Sequence, residues 1–361
     1  MEPFPEPVRA WFARHFSDPQ AIIMSAILVL GFGIVLILGD MLAPVLAALV
    51  IAYLLDSLIV ALERRGMHRG LAFGLVFLLF LALTMLTLFG LLPLLSKQVS
   101  QLALLLPDMI AKGQGLLMQL PQRYPEVFTG QQVSDLVTGI RQEILGMGDK
   151  ALSFSLSSVL GLVTLGVYVV LVPIMVFFFL KDKVRIQEWF KSYLPRSRRV
   201  ANEIWTEMDV QLGNYVRGKF WEVLLMWVVD YIAFVILGLP FAMLLSVLVG
   251  LSVIVPYIGM VAVTFPVVLV AYFQWGLTAE FYWLITVFFI LQAIDGNVLV
   301  PLLFSEVVNI HPIAIIVAIL VFGGLWGLWG VFFAIPLATL VKAVLNAWPS
   351  LPDREPSTQT A

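Results

Sequence analysis

The chain alternates between long apolar runs and short polar stretches, and the lengths of the runs decide most of the picture. Continuous apolar segments occupy roughly 21–39, 42–61, 71–95, 156–180, 220–238 and 280–303. Each exceeds the roughly nine to eleven residues of a barrel strand. The run 21–39 alone reaches about 28 Å at ~1.5 Å rise per residue, close to the ~30 Å hydrocarbon core of a bilayer. In lipid a helix satisfies its own N–H and C=O groups. The predicted fold class is therefore an all-α integral membrane protein with six spanning helices.

Two further apolar segments, 241–273 and 312–346, do not fit a simple crossing. As one straight helix, 241–273 would be about 50 Å long, while 241–255 alone would reach only about 22 Å. A hairpin that enters the bilayer and turns near Pro256 fits both lengths. Pro256 lacks the N–H that a continuous helix needs, and Gly259 permits the turn. The runner-up is a single tilted, kinked span. The two segments read as copies: each opens with Pro-x-Ala (Pro240 with Ala242, Pro312 with Ala314), reaches a glycine-containing break ending at Gly259 or Gly330, and meets a further proline, Pro266 or Pro336. A matched pair of interrupted apolar segments points to a transporter's binding site, although membrane helices are rich in Gly and Pro in any case. The prediction is six spans plus two inverted re-entrant helical hairpins, about eight membrane elements.

The polar stretches set orientation. Arg9 and Arg14, then Arg64, Arg65 and Arg69, then the basic residues of 181–219 (Lys181, Lys183, Arg185, Lys191, Arg196, Arg198, Arg199, Arg217 and Lys219) place three segments on the cytoplasmic side. Counting crossings then puts both termini in the cytoplasm. The single span 280–303 between the hairpins makes them dip from opposite faces. Between the third and fourth spans, apolar residues recur at helical spacing (Leu102, Leu105, Leu106, Ile110; Val133, Leu136, Ile140, Ile144) while basic and acidic residues balance. This is predicted as an extracytoplasmic insert of amphipathic helices. The 183–217 stretch reads as a cytoplasmic amphipathic linker, with Arg196, Arg198 and Arg199 as head-group contacts. The polar first twenty residues carry Pro3, Pro5 and Pro7. They are not read as a cleavable signal, because the run that follows is long enough to span.

Composition agrees. The chain is 361 residues, 61% hydrophobic and 12% charged, half the ~25% charge of a soluble domain. A net charge of −2 gives no reason to expect nucleic acid. There are no cysteines, hence no disulfides and no thiolate metal site. No zinc spacing, P-loop, G-x-S-x-G or catalytic carboxylate pair is present, so neither an enzyme nor a cofactor is expected. Energy from ATP hydrolysis by this chain is not expected either.

What remains is the polar content of the spans: Asp56 in the second, Asp230 in the fifth, and Gln292, Asp295 and Asn297 in the sixth. A carboxylate at mid-bilayer costs about 2.5–3.5 kcal/mol on insertion scales. Each needs a partner, a wet cavity or a bound proton. The functional reading is a solute or proton pathway beside the hairpin tips. The structural alternative is bonding to neighbouring helices, or, for Asp56, a place near the interface and Arg64. The tips expose main-chain groups that lipid cannot satisfy. Gly323, Gly324, Gly327 and Gly330 leave the backbone of the second tip open. Trp326 and Trp329 stack on a solute in one reading and anchor the interface in the other. His311, just before Pro312, joins the candidate pathway.

These residues carry a resemblance. F-F-F-L-K-D (177–182), Y-V-R-G (215–218), G-L-P-F-A (238–242), I-V-P-Y-I-G (254–259) and Q-A-I-D-G-N-V-L-V-P (292–301) lead to N-I-H-P (309–312), the glycine run and Pro336. In that order they resemble the autoinducer-2 exporter family over essentially the whole chain, closest to its PerM-like permease branch. The resemblance implies a homopentamer in the bacterial inner membrane, with two oppositely facing hairpins per protomer and an elevator-like motion. Some members export autoinducer-2, and others are similar to sodium/proton antiporters. Asp295 stands where many relatives have Glu, and Ser305 where many have Gly. The expected functions are export of a small polar solute such as autoinducer-2, antiport of sodium and protons through the intramembrane carboxylates, or an envelope scaffold without transport. The expected division is a cytoplasmic N-terminal segment (1–20), three transmembrane helices (21–95), the insert (96–155), a transmembrane helix (156–180), the linker (181–219), a transport core (220–346) and a cytoplasmic tail (347–361). The membrane lipids are the other expected partner.

Overall fold

The computed structural model describes residues 19–123, 131, 138–139, 166–192, 199–304 and 311–347. Most of the insert beyond Arg123, the start of the fourth span (156–165), Arg196, Arg198, Ser305 and the terminal segments 1–18 and 348–361 lie outside the described residues. Every element among the described residues is helical: α1 (Pro19–Arg64), α2 (Arg69–Leu86), a π-helical turn (Thr87–Leu91), α3 (Leu92–Arg123), α4 (Gly166–Lys181), α5 (Lys183–Ser192), α6 (Arg199–Ile236), α7 (Ala242–Ser252), α8 (Ile258–Trp275), α9 (Ala279–Ile294), a second π-helical turn (Asp295–Leu299), α10 (Val300–Phe304) and α11 (Pro312–Ala347).

Five stretches are long and apolar enough to cross a membrane: Met41–Arg64, Arg69–Gln119, Ile258–Trp275, Ala279–Phe304 and Pro312–Lys342. Three of them contain the expected spans 42–61, 71–95 and 280–303. The expected spans 21–39 and 42–61 lie along one unbroken helix of 46 residues, about 69 Å at the helical rise. Gly39 and Asp40 do not interrupt it, and Pro44 is accommodated inside it. No break in the helix marks the boundary drawn at 219–220: α6 runs from Arg199, within the expected linker, into the expected fifth span as one helix. That stretch lacks a clean apolar window because it holds Lys219, Glu222 and Asp230.

Two places fold the chain back on itself. Between α7 and α8, the Ser252–Gly259 turn brings Gly259 against the Ser252 carbonyl group, so that a Cβ at Gly259 would collide with backbone. Tyr257 takes a positive φ of 64° there, a conformation that costs an L-residue about 1–3 kcal/mol. Within Pro312–Ala347, helical geometry stops at Trp326 (φ −137°, ψ 16°) and Gly327 (φ 58°, ψ −138°). The second arm then returns so closely that a Cβ at Gly330 would collide with the Phe322 carbonyl group. In a straight helix those two residues would be separated by about 12 Å.

Packing resolves into three apolar clusters. The first joins the α7–α8 hairpin to the C-terminal half of α6 and to α9, through Met226, Phe234, Leu245, Val249, Val263, Val267, Leu284 and Phe288. The second joins α11 to the N-terminal half of α6 and to α10, through Tyr215, Val216, Phe304, Ile315, Ile319 and Ala334. The third joins α1, α2 and α4 through Ala48, Ala52, Ala72, Val76, Val176 and Leu180. In the F-F-F-L-K-D motif, Phe177 meets the ring edges of Phe73 and Phe77 at 5.5 and 5.4 Å. Helix α6 thus contributes to both hairpin clusters. The start of the predicted insert, α3, joins the first: Met109 is part of its core, and Gln98 Oε1 accepts a 2.8 Å hydrogen bond from the Leu244 N–H of α7. Many large apolar residues face outward along these helices, Phe89, Ile232 and Phe265 among them. A lipid environment accommodates them at no cost in water contact.

Candidate functional site

The site is built on α6. Its buried stripe reads Tyr215, Lys219, Glu222, Met226, Asp230 and Phe234, steps of three or four residues that hold all six on one helical face. None of the six is more than 5% exposed. Lys219, Glu222 and Asp230 are basic or acidic side chains turned inward on a helix surrounded by apolar packing.

At the N-terminal end of the stripe, Tyr215 donates a 2.8 Å hydrogen bond to the Phe332 carbonyl on the returning arm of the second hairpin. One turn on, Lys219 Nζ lies 2.7 Å from a Glu222 carboxylate oxygen and donates a 2.7 Å hydrogen bond to the Val253 carbonyl, where α7 ends. The same ammonium sits 5.2 Å from the centre of the Phe304 ring. The Val253 carbonyl belongs to the last turn of a helix, which has no intrahelical donor and carries partial negative charge. A lysine there serves as donor and countercharge together. The rest of the Y-V-R-G motif points elsewhere: Val216 packs in the second cluster, Arg217 bonds Ser57 Oγ at 3.2 Å and Asn214 Oδ1 at 2.7 Å, and Gly218 lies against Phe304.

Deeper along the stripe, Asp230 is fully buried, and neither carboxylate oxygen has a hydrogen-bond partner among the described residues. Across from α6, Gln292 and Asp295 are 5% and 9% exposed, and Gln292 Nε2 and Asp295 Oδ1 also have no hydrogen-bond partner among the described residues. Asp295 opens the π-helical turn. Such turns widen the helix by one residue and recur at functional sites. Asp295 lies near enough to Lys219, Glu222 and Asp230 for their charged forms to act on one another. The four form one electrostatic cluster between α6 and the α9–π-turn helix. Buried polar atoms left unbonded each carry a cost of about 1–3 kcal/mol, so a group of them held together points to function.

The structure therefore gathers Asp230, Gln292 and Asp295 and adds Lys219 and Glu222, which sequence reasoning had missed. Lys219 had been counted with the cytoplasmic basic residues, and Glu222 had drawn no attention. The signal that could have found them is the unbroken spacing of Tyr215, Lys219, Glu222, Met226 and Asp230.

Other expected site residues lie apart. Asn297 is exposed, and its amide donates to the Ala293 carbonyl at 2.8 Å on its own helix. His311 is exposed and accepts from the Ile313 N–H at 3.3 Å, a cap for the start of α11. His68 plays the same part for α2 through Gly70. Asp56 pairs with Lys183 at 2.8 Å, with side chains 20% and 41% exposed. Partly exposed pairs of this kind contribute about 0–1 kcal/mol. Asp56→Asn is accordingly expected to lower the apparent melting temperature by no more than a few degrees, as read by thermal size-exclusion in detergent.

At the hairpin turns, Pro256 is half-buried and Gly259 buried in the first, while in the second Gly323 is half-buried, Gly324 and Gly327 exposed and Gly330 buried. Trp326 and Trp329 each stack on Phe333, with ring centres 6.1 Å apart in both pairs. Trp326 also abuts Gly39 of α1, and its indole N–H has no hydrogen-bond partner among the described residues. The tryptophans pack within the protein at this turn. No group of His, Asp and Glu among the described residues is arranged to hold a metal ion.

The chain matches the model of the AI-2E family transporters over residues 25–350. It is similar to a protein of Escherichia coli K12 named as the candidate permease PerM, with 46% identity over 344 residues, covering 95% of this chain and 98% of that one. It is 29% identical over 307 residues to the candidate transport protein YueF of Bacillus subtilis, covering 83% and 82%. With YrrI of the same organism it shares 26% over 319 residues, covering 86% and 87%. A family match across nearly the whole chain, on an all-helical architecture with several membrane-length apolar helices, makes this multi-pass membrane protein a member of the AI-2E family of transporters.

Proposed function

We propose that the protein exports a small polar solute across the bacterial inner membrane by elevator-like alternating access, with autoinducer-2 as the first solute to test. The two folded-back turns would be re-entrant tips approaching from opposite faces, and the cluster of Asp230, Gln292 and Asp295 would meet the solute between them. The carrying observation is that these three buried side chains keep polar atoms unbonded beside helices that fold back on themselves. Inverted hairpins around a polar midplane site are the architecture of many secondary transporters. The cluster formed by α1, α2 and α4 would serve as the scaffold, and a homopentamer with cytoplasmic termini would be the assembly.

A second reading, exchange of sodium for protons, draws on one specific feature. Asp230 and Asp295 lie within electrostatic reach of each other, and a cation or proton shared by two carboxylates would relieve their repulsion. Labelled autoinducer-2 uptake into inverted vesicles, set against collapse of a pH gradient on adding sodium, separates the two. Asp295→Asn is expected to abolish sodium-linked gradient collapse in the second case. In the first it is expected to slow solute uptake on the order of tenfold, about 1.4 kcal/mol of lost stabilisation, with the protein still present in the membrane. No flux above that of protein-free vesicles in the unsubstituted protein, with its cellular function retained in Asp295→Asn combined with Gly324→Val, would instead favour a scaffold that does not transport.

A further inference from the structure

We propose that Lys219 is a positioning residue that pins the turn of the first hairpin to α6. Four observations converge on its ammonium. It is almost fully buried, it is balanced by Glu222 one turn along, it donates to the Val253 carbonyl, and it faces the Phe304 ring of α10. The group therefore touches three elements at once. The Val253 carbonyl is the end of α7, immediately before the strained Tyr257 and the close approach of Gly259 to Ser252.

A turn of that shape needs an external donor to stay in place, because main-chain carbonyls at a helix end have no internal one. A buried lysine needs a fixed acceptor and a countercharge. Each supplies what the other lacks. Tyr215, one turn earlier on the same face, holds the returning arm of the second hairpin in the parallel way. Helix α6 is thus the element to which both folded-back segments are tied, and Lys219 is its tie to the first.

The significance for transport rests on the alternating-access reading above, whereas the pinning itself does not. The test uses spin-label mobility, which requires no substrate. The chain has no cysteine, so a single label at Ile258→Cys reports on the first turn and one at Leu328→Cys on the second. Both side chains are exposed, at 55% and 71%. The background is the full-length protein in liposomes carrying Lys219→Met with Glu222→Met, which removes the charges together and keeps the packing volume. We expect the rotational correlation time of the Ile258 label to shorten several-fold while the Leu328 label stays unchanged. Lys219→Arg, which keeps charge and donor, should retain the slow motion at Ile258. An unchanged Ile258 label in the double variant, or equal loosening at both labels, overturns the proposal. Absence of vesicle transport in the unsubstituted protein, with the predicted label pattern intact, would count against the transport reading only.

Discussion

Gly330→Ala is expected to destabilise the protein by about 3 kcal/mol or more, at or above the upper end of the ~1–3 kcal/mol range for overpacking. Overpacking is usually relieved by a shift of neighbouring side chains. Here the added methyl would meet the carbonyl group of Phe322 and the amide of Gly323. Main chain inside a helix cannot move without breaking its own hydrogen bonds. The returning arm would have to separate from the outgoing one, taking Ala334 and Ile335 out of the second cluster. Gly259→Ala should behave alike, since its methyl would meet Ser252 main chain. Gly324 is the control, because no atom lies within 4 Å of a Cβ built there. Gly324→Ala should be neutral or gain up to ~1 kcal/mol of helix propensity. Thermal size-exclusion in detergent at one fixed heating rate measures all three. Equal melting temperatures for Gly330→Ala and Gly324→Ala would mean that the arms do not approach as described.

The second large effect concerns the ion pair on α6. Removing one partner of a buried pair leaves an uncompensated charge and typically costs about 3–5 kcal/mol, whereas replacing both with apolar groups of similar volume is often neutral or stabilising. Lys219→Met alone leaves the Glu222 carboxylate 2% exposed with no countercharge at hydrogen-bond distance. A loss of that size is expected, with reduced yield of folded protein. Glu222→Met alone should cost slightly less, because Lys219 retains the Val253 carbonyl and the Phe304 ring. The combination Lys219→Met with Glu222→Met should recover most of the loss. Additive single effects in the same melting assay would show that the two residues do not act as a pair.

Much of this was legible in the residues because lipid imposes length rules. Apolar run length announced a helical membrane protein, and the mismatch of 241–273 and 312–346 with a simple crossing located both places where the chain turns back. The glycines at 259 and 330 were visible as turn-formers, but their actual role is to let two main chains touch, which only the three-dimensional path reveals. Asp230, Gln292 and Asp295 stood out as polar residues in apolar runs. Lys219 and Glu222 did not, because they sit where an apolar run meets a basic stretch, and a charge there ordinarily faces water. That α6 continues through this boundary is decided by tertiary packing on both hairpins. The same limit explains the continuous α1: 21–39 and 42–61 read as separate spans, yet nothing at Gly39 or Asp40 prevents helical geometry, and Gly39 is used to admit Trp326. Asn297 and His311 stood out by residue type; Asn297 Nδ2 donates to the Ala293 carbonyl of its own helix, and His311 Nδ1 accepts from the Ile313 N–H at the start of α11.

As proposed, the two folded-back turns would enter the bilayer from opposite sides and meet the polar cluster between them. Single cysteines at Tyr257 and Leu328, in this otherwise cysteine-free chain, test it most directly. Each would be reacted with a membrane-impermeant maleimide applied to right-side-out and then to inverted vesicles. Tyr257→Cys is expected to react from the periplasmic side and Leu328→Cys from the cytoplasmic side. Reaction of both from the same side, or equal protection of both from either side, would contradict it.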